Sequence, residues 1–292
     1  MNTISEFRVN SQLTDEQYKY IDTAVKETAM LTMVGRSICP VSGPHGFGKE
    51  AITYDKLIGM SDAELSYTWK SKGNEDMVNL ARTTVPVPVL KKLFKIEYRK
   101  LAASRTAGTA LDVQNARNAA TKVAALEDEL IFMGYAPDGS NYDIEGLYTA
   151  AGNNYSTSKD FSTVTNVPAA LKGAIALLTA DGVAPPYNLS LNPVQYTELL
   201  EPISGAGAYT YMEYVKKTIG GNIYMTNALA AGTGLMSAAG NRGYFDFALG
   251  VDLSTAMEQL GLDQGWDMLG VVYETGVPRV WEANALCKLS NI

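Results

Sequence analysis

The sequence predicts an α+β fold. Three observations carry that reading: apolar and polar side chains alternate at a period of two before residue 100, one long helical stripe follows from residue 113, and strand-like alternation returns from Tyr244 onward. A chain of 292 residues suits one or two domains with a sizeable core.

After a polar arm, Thr14 with Gln17 three residues on reads as a capping box, and Tyr18, Ile21, Val25 and Ala29 recur at helical spacing. This predicts a helix over roughly 14–33, stopped by Gly35. SICPVSGPHGFGKE is broken by Pro and Gly and reads as an irregular connector. AITYDKL, AELSYTWKS and TTVPVPVL are extended. In LFKIEYRK, Phe94, Ile96 and Tyr98 alternate with Lys95, Glu97 and Arg99, the pattern of a half-buried strand. Residues 49–100 therefore read as one long β-rich excursion.

Asp112 is placed to cap the next helix, in which Val113, Ala116, Ala120, Val123 and Leu130 form a broad apolar stripe. Its roughly 21 residues would span about 32 Å, enough to form a spine. A Gly, Asn, Asp and Tyr loop over 134–154 precedes a helix near 167–180. NLSLN then reads as a strand, PVQYTELL as a short helix opened by Pro193, EYVKKTIGG as a helix with a Gly stop, and NIYMTNAL as a strand. The small-residue stretch over 228–243 reads as a flexible loop. Strands close the chain.

Composition narrows the function. With 31 Asp and Glu against 24 Lys and Arg, the net charge is −7, without the basic stripe a nucleic-acid binder needs. Charged residues make up 19 % of the chain, below the roughly 25 % of typical domains. Tyr supplies 17 residues against 3 Trp and 7 Phe. A weakly charged, Tyr-rich surface is suited to burial against partners. One histidine, His45, cannot build a multi-histidine metal site. Cys39 and Cys287 lie far apart without a CxxC and read as small buried residues in a reducing compartment. No apolar run approaches membrane length, and MNTISEFRVNSQLTDEQ is too polar for a signal peptide, so an intracellular soluble protein is expected.

The motifs that suggest chemistry lack what the chemistry needs. Gly43 to Glu50 approaches a phosphate-binding loop, but Glu50 stands where a magnesium-binding hydroxyl belongs, and a strand follows instead of a helix. Glu127, Asp128 and Glu129 are consecutive on a helix and point about 100° apart, so they read as a solvated or interface-facing helix end rather than a paired acid and base. His45 has no fixed Ser or Asp partner and reads as a loop histidine. Tyr18, Tyr54, Tyr67, Trp69, Tyr98 and Trp281 suit core or subunit interface. No catalytic, cofactor-binding or metal-binding residue is assigned.

The ordered segments resemble a known family. The capped N-terminal helix ending in Val34-Gly35-Arg36, then Gly43-Pro44-His45-Gly46, the spine ending in EDELIFMG (Glu127 to Gly134), DGVAPPYNLSLN (Asp181 to Asn192), LGVDLS (Leu249 to Ser254) and the closing VVYETGVPRVWEANAL are similar to the encapsulins. These are linocin-like nanocompartment shell proteins built on the Hong-Kong-97-type capsid fold of tailed phages. The resemblance covers nearly the whole chain in order.

It implies an N-terminal arm and helix (1–35), a peripheral domain (36–49, 85–134 and 241–292), an extended loop (50–84) that reaches a neighbouring subunit, and an axial domain (135–240). It also implies a self-assembling icosahedral shell in a prokaryotic cytoplasm, without enzymatic activity of its own. Cargo enzymes would be held through a short targeting peptide in a groove on the inner wall, with Arg36 on one side and Asp252 and Leu253 on the other. Tyr67 and Trp69 would meet the neighbouring subunit. Some members carry an acidic residue shortly after the arginine, where this chain has Pro40. Some carry a flavin near an aromatic in the strand before the spine; Tyr98 falls there but the rest of that site does not match, so no cofactor is assigned. The alternatives are a major capsid protein of a tailed phage or archaeal virus, which would package a genome in a virion, and a soluble enzyme using His45 or Lys49.

Overall fold

The computed structural model describes residues 13–58, 65, 67, 79–107, 113–139, 141–156, 159–204, 209–240, 243–261 and 266–292. Helix α1 (Asp15–Thr32) opens on the predicted capping box: Gln17 N donates to Thr14 Oγ1 at 3.3 Å and Thr14 N to Gln17 Oε1 at 3.2 Å. A short helix α2 (Gly35–Ile38) and a two-residue strand β1 (Val41–Ser42) lead to β2 (Ala51–Ile58), β3 (Asn79–Pro86) and β4 (Val89–Ile96). Helix α3 (Tyr98–Ala107) precedes the spine α4 (Gln114–Met133), and β5 (Gly134–Tyr135), β6 (Ile144–Glu145) and β7 (Asn153–Ser156) follow it. Next come α5 (Val167–Ala180), β8 (Tyr187–Leu191), α6 (Pro193–Glu198), α7 (Tyr211–Ile219) and β9 (Gly220–Met225). The chain finishes on β10 (Thr233–Ala238), β11 (Phe245–Gln259), β12 (Met268–Val280) and β13 (Leu286–Ser290).

Among the described residues two larger sheets form, one in the order β1-β11-β12-β4 and the other β7-β13-β10-β8-β9. The spine lies on the first. Leu90, Phe94 and Ile96 of β4 turn inward, while Lys91 and Lys95 turn out, and the ring of Phe94 lies over Gly270 of β12, where a Cβ would collide with it. Helix α1 packs on the spine through Ile21, Val25 and Ala29, against Ala116, Ala120, Val123 and Ala124. Alanines at those positions let the two helix axes approach closely. The second sheet is covered by α5 and α7, with Leu171, Leu178, Val215, Leu189, Met236 and Leu289 in its core. A third cluster ties the two together: Phe245 and Phe247 of β11 meet Phe132 of the spine, Leu235 of β10 and Leu286 of β13.

β2 and β3 form a separate antiparallel hairpin in register from Ala51↔Pro86 to Ile58↔Asn79. Its root is fixed by buried Ile52 and Val85 and by Tyr54, whose ring meets Trp281 edge-on at 5.9 Å. The Trp281 ring lies under the Arg279 guanidinium at 4.8 Å, and Arg279 Nε donates to Asp246 Oδ1 at 2.9 Å. A Thr53–Thr84 hydroxyl pair at 3.0 Å joins the two strands within this root, and an exposed Arg82–Asp55 ion pair at 2.9 Å follows further out.

Four expectations need correction. The stretch over 228–243 is not a flexible loop: it contains β10, central in the second sheet, and its small residues serve close packing, since a Cβ at Gly234 would meet Leu191 Cδ2 at 2.7 Å. The strand through LFKIEYRK ends at Ile96, because Asp267 Oδ1 accepts from Tyr98 N at 2.7 Å and so starts α3. That cap comes from 169 residues away and leaves no local signal. Gly35 does not stop α1; the helix ends at Thr32 with Met33 as its C-cap, and Gly35 begins α2. Glu127 and Asp128 are not solvated, as the next subsection describes. The predicted cap Asp112 lies outside the described residues; the N-cap position of α4 is Val113, which makes no side-chain cap bond.

The spine ends where Gly134 adopts φ +76°, and a Cβ there would collide with backbone atoms of Ile144 and Glu145. Gly134→Ala is therefore expected to lower stability by roughly 2–3 kcal/mol, measured as a shift of the urea midpoint at unchanged slope. An unshifted midpoint would contradict this packing.

Candidate functional site

The site begins with a turn. After α1 ends, the backbone N–H groups of Val34 and Gly35 need acceptors, and Asp128 of the spine supplies them at 3.1 and 2.7 Å. The approach is close: a Cβ on Gly35 would meet Ile131 Cδ1 at 2.7 Å and Asp128 Oδ1 at 3.0 Å. Glycine lets the chain lie against the spine, and the next residue, Arg36, is thereby aimed at the neighbouring acid.

Arg36 then binds three carboxyl groups. Nε and Nη2 donate to Glu127 Oε1 and Oε2 at 2.7 and 3.1 Å, a fork-to-fork pair. Nη2 also donates to Glu274 Oε1 of β12 at 2.7 Å, and Nη1 to Asp252 Oδ1 of β11 at 2.8 Å. The side chains of Glu127 and Glu274 are 0 % exposed, whereas Arg36 is 22 % and Asp252 63 % exposed. One cation thus stitches the segment after α1 to the spine and to both long strands.

Asp252 reaches Arg36 because β11 is irregular there. Its register against β12 shifts between Leu249 and Val251 and again before Ser254, and Val251 N donates to Thr275 Oγ1 at 2.7 Å. Such bulges re-aim a side chain. The Asp252 carboxylate also accepts from Leu253 N at 2.9 Å. On the other side of the bulge Leu253 turns into the core with α1 and the spine. Tyr18 of α1 spans the same strand, its hydroxyl donating to the carbonyl of Thr255.

Burial sets the proton affinities. It pushes the Glu274 carboxyl up to about 9, the charge of Glu127 adding to the effect and Arg36 opposing it. Burial likewise pushes Asp128 up to about 6, against the pull of the Gly35 and Val34 N–H groups. At Asp252 burial acts upward, but hydrogen bonds from Arg36 and Leu253 hold the carboxyl below its ordinary value. Arg36 is desolvated yet held cationic by Glu127, its affinity raised.

Of the residues singled out from sequence, Arg36 and Asp252 are in direct contact, and Leu253 packs beneath them. Tyr67 is 98 % exposed; Trp69 lies outside the described residues. His45 and Lys49 are exposed on the loop between β1 and β2. Cys39 and Cys287 are buried free thiols. Glu127, Asp128 and Glu274 were not assigned a role from sequence. Their signal was positional: Glu127 falls within the apolar stripe after Val123, and Glu274 shares the inward parity of Val272. Among the described residues no group of three or more His, Cys, Asp or Glu side chains is arranged to hold a metal ion, and no helix is long and apolar enough to cross a membrane.

Arg36→Met leaves two buried carboxyl groups without their cation and is expected to cost about 3–5 kcal/mol. In a Glu127→Gln, Glu274→Gln background the same change is expected to cost less than half as much. Guanidinium unfolding of the four proteins checks this; equal losses in both backgrounds would contradict the hub.

Comparison with known proteins places this geometry in context. The Linocin_M18 family model, described as "Encapsulating protein for peroxidase", matches residues 5–261. The chain is 29 % identical over 244 residues to the type 1 encapsulin shell protein EncA of Myxococcus xanthus, covering 84 % of this chain and 83 % of that one. It is 25 % identical over 248 residues to the type 1 encapsulin shell protein of Mycobacterium tuberculosis, covering 85 % and 86 %. Among solved structures, the virus-like particle of Pyrococcus furiosus superposes with a TM-score of 0.67 at 19 % identity over 94 % of this chain and 99 % of that one. The capsid protein of Myoviridae phage XM1 also gives 0.67, at 14 % identity over 90 % and 92 %. The fold is that of the Hong-Kong-97-type capsid proteins.

Proposed function

The chain belongs to the Linocin_M18 family of encapsulins, and on that premise we propose that it assembles with copies of itself into a closed icosahedral shell that encloses a cargo protein. The observation that carries this reading is the extent of the family match, residues 5–261, which takes in α1, Arg36 with its partners Glu127 and Asp252, and the bulged strand β11 together. The phage-capsid likeness concerns fold alone, and an ordered α1 docked on the spine favours the compartment over a virion.

In this reading the first sheet with its spine is the peripheral domain, the second sheet with α5 and α7 is the axial domain apart from its strand β13, which the peripheral segment 241–292 lends to it, and the β2–β3 hairpin is the extended loop. A two-stranded ribbon is marginal in water on its own. The hairpin here touches its own body at the root, so its outer part is stabilised by burial against a neighbour. Heterologous contacts repeated around closed symmetry then make a shell. The chain itself contributes architecture, any chemistry belongs to its contents, and the compartment sits in a prokaryotic cytoplasm.

Cargo is held in the groove between α1 and β11. Asp252 of β11 is more than half exposed although paired with Arg36, and Met30 of α1, 77 % exposed, offers an apolar contact. An extended targeting peptide with apolar side chains would lie along this groove, its orientation set by the Arg36–Asp252 pair. Leu253 is buried in the core with α1 and the spine and anchors β11 beside the groove.

Co-expression with a cargo enzyme carrying its terminal targeting peptide tests this. Asp252→Lys is expected to reduce co-purified cargo at least tenfold while shells still form; undiminished cargo would move the groove elsewhere. Separately, Tyr67→Ser combined with Trp69→Ser is expected to leave folded subunits that assemble poorly, since buried aromatics dominate such contacts. Normal yields of intact shells from that variant would contradict the hairpin assignment.

A further inference from the structure

The hub holds more acid than it can neutralise. Glu127 and Glu274 are both fully buried and share one guanidinium nitrogen, Arg36 Nη2, which donates to Glu127 Oε2 at 3.1 Å and to Glu274 Oε1 at 2.7 Å. Glu274 Oε1 accepts from Arg36, but Glu274 Oε2 is buried and has no partner. Two buried carboxylates side by side cannot both stay ionised on a single cation. A proton on the orphaned oxygen of Glu274 cancels the excess charge without disturbing the bonds to Arg36. We propose that one proton held by Glu274 beside Glu127 locks the Val34–Ile38 segment onto the sheet, and that its loss under alkaline conditions releases the segment and with it the end of α1.

The groups around the pair leave this role to it. On α1, Tyr18 is raised above its ordinary 10 by burial, and Lys26 is raised by its hydrogen bond to Asp22, so neither changes charge below that range. Arg36 on α2 stays cationic, and Cys39 just beyond it is pushed well above 9 by burial. Asp128 on the spine is displaced only to about 6, and Asp252 on β11 is lowered. Tyr273, beside Glu274 on β12, interacts with Tyr18 of α1, while Asp246 and Arg279, themselves an ion pair, interact with Cys39.

The sign follows from linkage. The raised Glu274 carboxyl holds its proton in the locked state up to about 9, whereas an exposed Glu would release it near 4.5. The stabilisation is complete below the lower value and is lost as pH rises toward the upper one. Within that window the opening equilibrium of the segment gains about tenfold per pH unit. The device depends on no particular occupant of the groove.

Amide hydrogen exchange of assembled full-length protein, followed by mass spectrometry over residues 34–38 from pH 7 to 9 and corrected for intrinsic exchange, tests the proposal. The opening constant of wild type is expected to rise about tenfold per pH unit, and that of Glu274→Gln to stay flat, while Tyr18→Phe and Tyr273→Phe keep the wild-type slope. Infrared spectroscopy of wild type should show a protonated carboxyl band at pH 7 that fades near pH 9 and is missing from Glu274→Gln. A flat wild-type profile, the same slope in Glu274→Gln, or no protonated carboxyl at pH 7 would overturn it. Should Glu274→Gln fail to fold, the wild-type slope and band decide alone.

Discussion

A single guanidinium in contact with three carboxyl groups is the interaction on which the arrangement of this protein depends. Arg36 is reached only because Asp128 satisfies the backbone at 34 and 35 and because residue 35 has no side chain. Asp252 is reached only because β11 is bulged. Remove the cation and the spine, both long strands and the segment after α1 lose their common partner, while two acids remain buried. Buried ion pairs are seldom a net source of stability compared with apolar packing. What the pairing fixes is position: the segment after α1, the spine and both long strands meet at one cation.

The rest of the molecule extends from that fixed centre. Three apolar clusters bind the two sheets and the spine into a body, with Phe245 and Phe247 as the joint. The β2–β3 hairpin leaves this body from a narrow root, where Tyr54 meets Trp281 and Trp281 meets Arg279. A stacked root sets the angle of the hairpin without covering its length. That combination, a body and an arm joined to it at a narrow root, suits the proposed subunit, whose copies are to close around a space. It also accounts for the low charge and the many tyrosines, whose rings serve contact and whose hydroxyls tolerate water.

Much of this was legible in the residues. The capping box of Thr14 and Gln17, the stripe from Val113 to Leu130, Pro193 at a helix start and the Gly stop after Ile219 are local signals, and the elements formed where they pointed. What failed was decided at a distance. Asp267 caps α3 from far along the chain, and the small residues of β10 resemble a loop until Leu191 is packed against Gly234. At the site, resemblance singled out Arg36 and Asp252, and the structure joins them. Glu127 and Asp128 were misread as solvated because three consecutive acids suggest water; only the position of Glu127 within the apolar stripe indicated otherwise. Glu274 needed the pairing of β12 to be seen facing the same cation.

In the proposed shell, bodies pinned by Arg36 close around a lumen with α1 on the inner wall. Electron microscopy of the purified protein, carried to a side-chain-resolution reconstruction, is the decisive measurement. Uniform closed particles are expected, with α1 facing the lumen and the Arg36 guanidinium seated between Glu127 and Glu274. Monomers or dimers at micromolar concentration, or shells in which Arg36 points to solvent and α1 lies outside, would contradict it.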